Sequence, residues 1–215
     1  MPILRGAVTF ARFRVEGFDK REKDWIVKNL RTHVFEPIRK ASEDERSVGF
    51  VELEDRDAVE FSTGAVHQGE YALFSFRVDT LKVPGGMLRE ELEKWVKTFE
   101  AEHTRPCSRR EKNDARAALK QSLRQKLSPK TKTFDVSWNL KKSELQIWAA
   151  SRTAVEEVEA GLEKAFDLQL QPLAPAAAAQ LLGLKDEDLL PTPDLSWPDF
   201  GSVPDVAELR EVEDG

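Results

Sequence analysis

The spacing of apolar residues changes several times along the chain and predicts four elements in its first part. Residues 7–15 alternate in the way that is typical of a strand. Asp19 is a favoured N-cap residue and begins a helical pattern that continues to about His33. Residues 49–53 and 71–78 again have the composition and alternation of strands. The predicted order of this part is β-α-β-β.

A pair of long helices is predicted next. The strand pattern ends at residues 84–86, and helical periodicity then continues to about His103. Ser108 and Glu111 have the spacing of a capping box, which predicts a second helix that ends at about Leu127, before a Ser-Pro pair. Because the connection is short, the two helices are expected to form an antiparallel hairpin.

The strand period then returns. Residues 133–140 and 144–150 are predicted as a β-hairpin, Ser151 begins a further helix, and residues 168–170 are predicted as an edge strand. This second part is β-β-α-β. We therefore expect an α+β fold, an antiparallel sheet with packed helices, into which the long helical hairpin is inserted.

The end of the chain has a different composition. Residues 172–215 hold ten Asp or Glu and two Lys or Arg, with frequent Pro and an Ala run, and this predicts a flexible acidic tail. Trp197 and Phe200 lie in an acidic setting that is typical of a docking peptide, and packing onto the body is the alternative. Three units are predicted. Residues 1–83 and 133–171 form the α+β body, residues 84–132 form the inserted hairpin with a basic tip, and residues 172–215 form the tail.

Positive charge is concentrated in one stretch. Between Arg105 and Lys132, ten Lys or Arg stand against two acids, a net of about +8 in a chain of formal net charge −6. On the second hairpin helix several of these residues are spaced by three or four, which predicts one continuous stripe. Such a stripe would attract the phosphates of a nucleic acid, and a solvated helix face is the alternative. The candidate DNA-binding residues are Arg105, Arg109, Arg110, Lys112, Arg116, Lys120, Arg124, Lys130 and Lys132. Asn113 and Gln121 are the only nearby side chains suited to reading base edges, so sequence-specific recognition is not expected.

Catalytic chemistry finds little support. The histidines His33, His67 and His103 are not at metal-ligand spacing, and no hydrolase, metalloprotease or P-loop motif is present. Cys107, the only cysteine, has neighbouring arginines expected to lower its pKa but no base partner. The acids within residues 52–60 could bind a divalent metal, although an exposed acidic turn is favoured. We expect no catalytic residue, no metal, no cofactor and no enzymatic activity.

The composition is that of a soluble protein. Apolar residues make up 40% of the chain and charged residues 33%. No apolar run approaches the roughly 20 residues that span a bilayer, so no membrane role is expected. The first residues lack the pattern of a secretory signal, and we expect a cytoplasmic protein. Binding to DNA would make it nucleoid-associated.

The order of several segments resembles that of the RdgC family of recombination-associated proteins. These segments are Val83-Pro84 before the first long helix, Arg109-Arg110-Glu111-Lys112, the strand Phe134 to Trp138, and Ala149-Ala150-Ser151 at a helix start. The resemblance covers roughly residues 1–173. It implies a protein that binds double-stranded DNA with little sequence preference, forms a ring-shaped dimer around the duplex, and restrains RecA-promoted strand exchange, so that DNA, a second copy and a recombinase would be its partners.

The resemblance also points to particular residues and to one departure. The residues that match the basic tip of the family are Arg105, Arg109, Arg110, Lys112 and Arg116. Family members continue into a further C-terminal domain that supplies a second dimer contact, and this chain is expected to be a short form with an acidic tail instead, which leaves ring closure open. The tail, with a net charge of about −8, could compete with DNA for the hairpin, and removing residues 172–215 would then tighten DNA binding at low salt.

Two other functions are alternatives to DNA binding. A protein-interaction adaptor would dimerise through the first hairpin helix and dock a partner with its tail, and its contact residues would be Leu92, Trp95, Val96, Phe99, Trp197 and Phe200. A metal-dependent nuclease would need a carboxylate cluster that the sequence does not clearly supply.

Overall fold

The computed structural model describes residues 9–17 and 23–173, together with Ile3, Ala179, Leu182 and Gly183. Within these residues, seven strands form one sheet and five helices accompany it. The strands are β1 Ala11–Glu16, β2 Arg46–Val51, β3 His67–Gln68, β4 Tyr71–Thr80, β5 Lys130–Asn139, β6 Glu144–Trp148 and β7 Gln169–Pro172. The helices are α1 Lys23–Thr32, α2 Thr63–Val66, α3 Gly85–His103, α4 Arg109–Lys126 and α5 Arg152–Phe166. The predicted α+β class is confirmed.

The two longest strands lie side by side and determine where the long helices emerge. The strand order is β2-β4-β5-β6-β1-β7, β3 pairs with β4, and all of these pairs are antiparallel. β4 and β5 pair along their whole length, from Tyr71 opposite Asn139 to Thr80 opposite Lys130. Because β4 leads into α3 and α4 leads into β5, both ends of the helical pair start from the same end of the sheet.

Alternate residues of the central strands form a core rich in aromatic side chains. Phe74 and Trp138 are fully buried, and the Phe166 ring of α5 lies 6.2 Å and 5.6 Å from their ring centroids. Gly161 allows α5 to approach the sheet closely, since a Cβ atom there would lie 2.7 Å from the ring of Phe76. The other face of the same strands is polar.

That polar face is also buried and hydrogen-bonded. Asp135 accepts from the Ser75 hydroxyl at 2.8 Å and from the Ile3 backbone N–H at 2.7 Å. The indole N–H of Trp148 donates to the Ser137 hydroxyl at 3.0 Å. Buried polar groups that have hydrogen-bond partners cost little stability. The sheet can therefore bury polar side chains on this face.

Several element boundaries differ from the sequence-based expectation. The short α2 and β3 were not predicted; α2 begins at a local cap in which the Ser62 hydroxyl accepts from the Ala65 N–H at 3.1 Å. β5 begins at Lys130, three residues earlier than predicted, because pairing with β4 extends the strand to the end of α4. Within the tail, Trp197 and Phe200 lie outside the described residues.

Candidate nucleic-acid interface

The connection between α3 and α4 is determined by local caps. Thr104 ends α3 in the left-handed region, at φ 53°, and its N–H donates to the carbonyl of Glu100 at 3.0 Å. At the start of α4 the Ser108 hydroxyl accepts from the Glu111 N–H at 3.3 Å, while the Glu111 carboxylate accepts from the Ser108 N–H at 3.0 Å. The predicted capping box is therefore confirmed.

The two helices pack against each other through a narrow apolar seam. Within α3 and α4, which the structure describes throughout, the buried apolar residues are Leu88, Leu92 and Ala115. Arg116 lines a cavity with Leu88 and Leu92. Lys112 lies one turn nearer the connection and lines a groove with Val96 and Glu100, which follow Leu92 by one and two turns on α3. Residues close to the connection on α4 thus meet residues close to it on α3, and the helices run antiparallel. The narrow seam leaves much of each helix in contact with solvent.

Four of the candidate cations form a continuous exposed row on α4, which we call the basic stripe: Arg109, Lys112, Arg116 and Lys120. At 100° per residue they fall within about 80° of the helix circumference. Lys120 Nζ lies 3.2 Å from a carboxylate oxygen of Glu45. For the other three, no carboxylate of the described residues lies within 4.0 Å. The stripe therefore offers three charges that are not already paired.

Helix α3 adds cations that sequence reasoning missed. Arg89 and Lys97 line a groove of about 570 Å³ together with Lys112, above a floor that includes Val96. Their eight-residue spacing puts them on one side of α3, which is the signal that could have identified them. Glu93 and Glu100 line the same groove, so the field on α3 is weaker than on α4. Because Arg89 and Lys97 of α3 line this groove together with Lys112 of α4, the basic face of the hairpin spans both helices.

Arg124 does not belong to the basic stripe, and its prediction as a DNA contact is wrong. Its exposed fraction is 3%. The guanidinium donates to the carbonyl oxygens of Lys40 at 3.2 Å and Leu81 at 3.4 Å, and also to that of Asp44. A loop from elsewhere in the chain covers the end of α4 and uses Arg124 to hold it.

Arg105 is exposed but already paired. Its guanidinium forms hydrogen bonds of 2.5 Å and 3.1 Å with the Glu111 carboxylate and lies 5.1 Å from the centroid of the Phe99 ring. Hydrogen bonds from Arg105 and Ser108 lower the pKa of Glu111 to about 2. Contact with phosphate would have to replace this ion pair, so Arg105 contributes less to an anion-binding surface than its charge suggests.

The environment of Cys107 opposes the expected activation of its thiol. Partial desolvation raises the pKa of Cys107, and the carboxylates of Glu111 and Glu100 raise it further, against the smaller opposite effects of Lys112 and Arg105. Arg105 does lower the pKa of Cys107, as expected, but the larger opposite effects leave that pKa raised, so the expected net lowering is not found. Arg110, also predicted as a DNA contact, is exposed at the start of α4, about 80° from the nearest residue of the stripe.

The predicted partner residues on α3 have different environments. Leu92 is buried between the helices and cannot contact a partner, so that assignment is wrong. Trp95, Val96 and Phe99 are half-buried. The Trp95 and Phe99 rings stack at 5.1 Å, and Phe99 stacks on His103 at 4.1 Å, so aromatic rings follow one edge of α3.

Lys130 and Lys132 form a second group, away from the stripe. Both are exposed at the start of β5 and, two residues apart, share a face of the strand with Phe134. With Arg46 and Ser151 they line a cavity of about 520 Å³ beside the start of α5. The predicted DNA-binding residues therefore do not form one surface: four lie in the stripe, and Lys130 and Lys132 line this cavity.

Two of the acids within residues 52–60 have side chains that are used in local structure. Asp55 accepts from the Asp57 N–H at 3.0 Å, and Asp57 in turn pairs with Arg77 at 2.5 Å. Among the described residues, no group of three or more His, Cys, Asp or Glu could hold a metal ion. Over the same residues, no helix is both long and apolar enough to cross a membrane.

Comparison with known protein families gives a match that covers most of the chain. A family model described as "Putative exonuclease, RdgC" matches residues 11–182. A search of curated proteins finds no match. The matched range includes the sheet, the hairpin and both groups of cations, and it confirms the resemblance seen in the sequence. The chain belongs to the RdgC family.

Proposed function

We propose that this protein binds the backbone of double-stranded DNA without reading its sequence, acts in recombination, and is not an enzyme. The observation that carries the proposal is the basic stripe, in which Arg109, Lys112 and Arg116 are exposed and have no carboxylate of the described residues within 4.0 Å. Unpaired cations gain most from phosphate, because no existing ion pair has to be broken.

The geometry of the stripe suits a polyanion with regular spacing. From Arg109 to Lys120 the helix rises about 17 Å, which corresponds to roughly five base pairs of duplex along its axis. Lys and Arg contacts to phosphate fix position and carry no sequence information. Three such contacts predict a slope of about −2.7 for log K against log salt, or a loss of affinity of about 40-fold between 50 and 200 mM salt.

Membership of the RdgC family supports a role in recombination. On this basis we include in the proposal a homodimer, a nucleoid location in the cytoplasm, and a recombinase as the protein partner, with strand exchange of the RecA type restrained by coverage of the duplex. Fluorescence-monitored strand exchange, with the protein added before or after the recombinase, would test this part. Equal rates with and without the protein would contradict it.

The duplex-binding proposal is tested by removing charge from the stripe. In one variant Arg109, Lys112 and Arg116 become Gln, and fluorescence anisotropy measures binding to two unrelated duplexes of equal length. We expect at least tenfold weaker binding at 50 mM salt and a nearly flat salt dependence, with no difference between the two sequences.

A matched control removes the same charge from cations that already have acidic partners. Lys94 pairs with Glu90 and Glu91, Lys141 with Glu70, and Arg152 with Glu156. Changing Lys94, Lys141 and Arg152 to Gln should leave duplex affinity within about twofold. If both triple variants lose affinity equally, net charge rather than the stripe is responsible and the proposal fails.

The absence of catalysis is a separate part of the proposal with its own test. Labelled duplex and single-stranded DNA are incubated with the protein and Mg²⁺ or Mn²⁺, and released nucleotides are measured. We expect no release above the buffer control. Release that copurifies with the protein, and disappears when the protein is removed by antibody, would show an enzyme.

A protein-interaction adaptor is the second candidate, favoured by the half-buried aromatic edge of α3. Trp95 and Phe99 expose part of their stacked rings, and a second copy of the chain could cover them. Changing both residues to Ala should then convert a dimer to a monomer in analytical ultracentrifugation. A dimer that this variant abolishes, in a protein that shows no salt-dependent duplex binding, would favour the adaptor.

A further inference from the structure

A cavity of about 520 Å³ lies where β4 ends, β5 begins and α5 starts. Its volume falls within the range of small-ligand sites, roughly 300–1,000 Å³. The cavity is separate from the basic stripe, because none of the four stripe residues lines it. It combines cationic side chains with an apolar floor.

The cations of the cavity are only partly neutralised. Arg46 and Glu157 both line it and pair with each other, so the one acid of the lining is already engaged. Lys130 and Lys132 lie on the same side of β5, and no carboxylate of the described residues is within 4.0 Å of either. The first turn of α5 lines the same space, and backbone N–H groups at a helix start add to the attraction for an anion. The cavity therefore favours a negatively charged group such as a phosphate.

The floor of the cavity suits the uncharged part of a ligand. Val78 and Ala149 are buried there, and Phe134 is half-buried, with part of its ring available. Aromatic side chains stack on the flat face of any nucleobase, because every base has a π face. A phosphate joined to a flat apolar ring is the chemistry of a nucleotide.

We propose that this cavity binds one unpaired nucleotide of a DNA strand, with its phosphate at Lys130 and Lys132 and its base against Phe134. The inference rests on the DNA-binding function proposed above and deepens it. The stripe holds the duplex backbone, and the cavity takes a nucleotide that has left the duplex at an end or at a gap. A DNA strand and a free nucleotide share this chemistry. We assign the DNA strand because the inference rests on the DNA-binding function, and the titrations below distinguish the two sources.

The test compares a blunt duplex with the same duplex carrying one extra nucleotide at an end. The extra nucleotide is 2-aminopurine, whose fluorescence falls on stacking. We expect binding about fivefold tighter with the overhang than without it, together with quenching. Equal affinity for the two duplexes, in a protein that binds both, would overturn the inference and leave the proposed function intact.

Two tryptophan substitutions identify the cavity. Ala150 is exposed and lines it, so Ala150→Trp should fill the space and remove the preference for the overhang without changing affinity for the blunt duplex. Ala160 is exposed on α5 outside the lining, and Ala160→Trp should keep the preference. If Ala150→Trp keeps the preference as well, the nucleotide binds elsewhere.

A single-stranded probe separates the failure of the two proposals. Hexathymidylate and thymidine monophosphate are titrated in turn, and the amide signals of Thr153 and Ala154, which line the cavity, are followed by NMR. Shifts with hexathymidylate, in a protein that does not bind duplex, would support the cavity and refute the proposed function. No shift with hexathymidylate overturns the inference, and tighter binding of the free monophosphate overturns its assignment to a DNA strand.

Discussion

Arg124 provides the sharpest test of the difference between a cation that binds DNA and one that holds the fold. Its side chain is almost fully buried and donates to the carbonyl oxygens of Lys40, Asp44 and Leu81. It also lies in the last turn of α4, where a cation opposes the partial negative charge of the helix end. Changing Arg124 to Ala removes one of the links between the helical hairpin and the rest of the body, while the Lys120–Glu45 ion pair stays.

The expected loss of stability follows from the hydrogen bonds. The bond to Leu81, at 3.4 Å, is long and contributes little, which leaves two good bonds from a charged donor. Each contributes roughly 1.5–3 kcal/mol, and the lower value applies because the carbonyls of Lys40 and Asp44 are only part-buried and can bind water in the variant. The free energy of unfolding should therefore fall by about 3 kcal/mol. With a urea m value near 2 kcal/mol/M, the midpoint would move by about 1.5 M.

The assay pairs Arg124→Ala with Arg116→Ala, the same change at an exposed position of the same helix. Urea unfolding is followed by tryptophan fluorescence, and duplex affinity is measured at 50 mM salt, where both variants are folded. Arg124→Ala should lower stability and leave affinity unchanged, whereas Arg116→Ala should lower affinity and change stability by less than about 0.5 kcal/mol. Loss of affinity without loss of stability in Arg124→Ala would refute the structural role.

Three further predictions concern charge, pH and packing. Changing Lys112 to Ala should make the slope of log K against log salt less negative by about 0.9, as measured by duplex titrations at five salt concentrations, and an unchanged slope would remove Lys112 from the interface. The pKa of Glu111 is lowered to about 2. The stability that its carboxylate contributes at the cap of α4 is therefore fully present above its ordinary pKa and is lost as pH falls towards 2. A carboxyl-carbon NMR titration measures this pKa, and a midpoint above 4 would contradict the prediction. Gly49→Ala should lower the free energy of unfolding by about 1–3 kcal/mol, because a Cβ atom there would lie 2.4 Å from the backbone of Phe35, while Gly64→Ala, which meets nothing within 4 Å, serves as the control in the same denaturation assay.

The features that the sequence predicted well are determined by neighbours in the chain. The alternation that places Phe134 and Trp138 on one face of β5 is a property of the strand itself, and both side chains join the core. The cap formed by Ser108 and Glu111 needs only four consecutive residues, and both of its hydrogen bonds are present. Such local patterns can be read without knowledge of the fold.

The features that the sequence did not predict depend on contacts between distant segments. Arg124 continues the three- to four-residue spacing of the stripe, and its burial is determined by a loop some 80 residues earlier that contributes the carbonyls of Lys40 and Asp44. Lys130 and Lys132 belong to the same predicted DNA-binding set as the stripe because they follow it in sequence. In the structure both lysines lie on the side of β5 that faces the start of α5. The spacing of residues on α4 carries no information about this direction.

The structure distributes the charge of the hairpin more unevenly than its sequence does. At the base of α4, Lys120 pairs with Glu45 and Arg124 is used to hold the fold, and at the connection Arg105 pairs with Glu111. The cations between these points have no such partners among the described residues. An anion that approaches the helix therefore gains most at its middle, since binding at either end must first displace a contact already made. The net charge of about +8 read from the sequence thus overstates the attraction for DNA, and the affinity should depend on the few cations that the fold leaves unpaired.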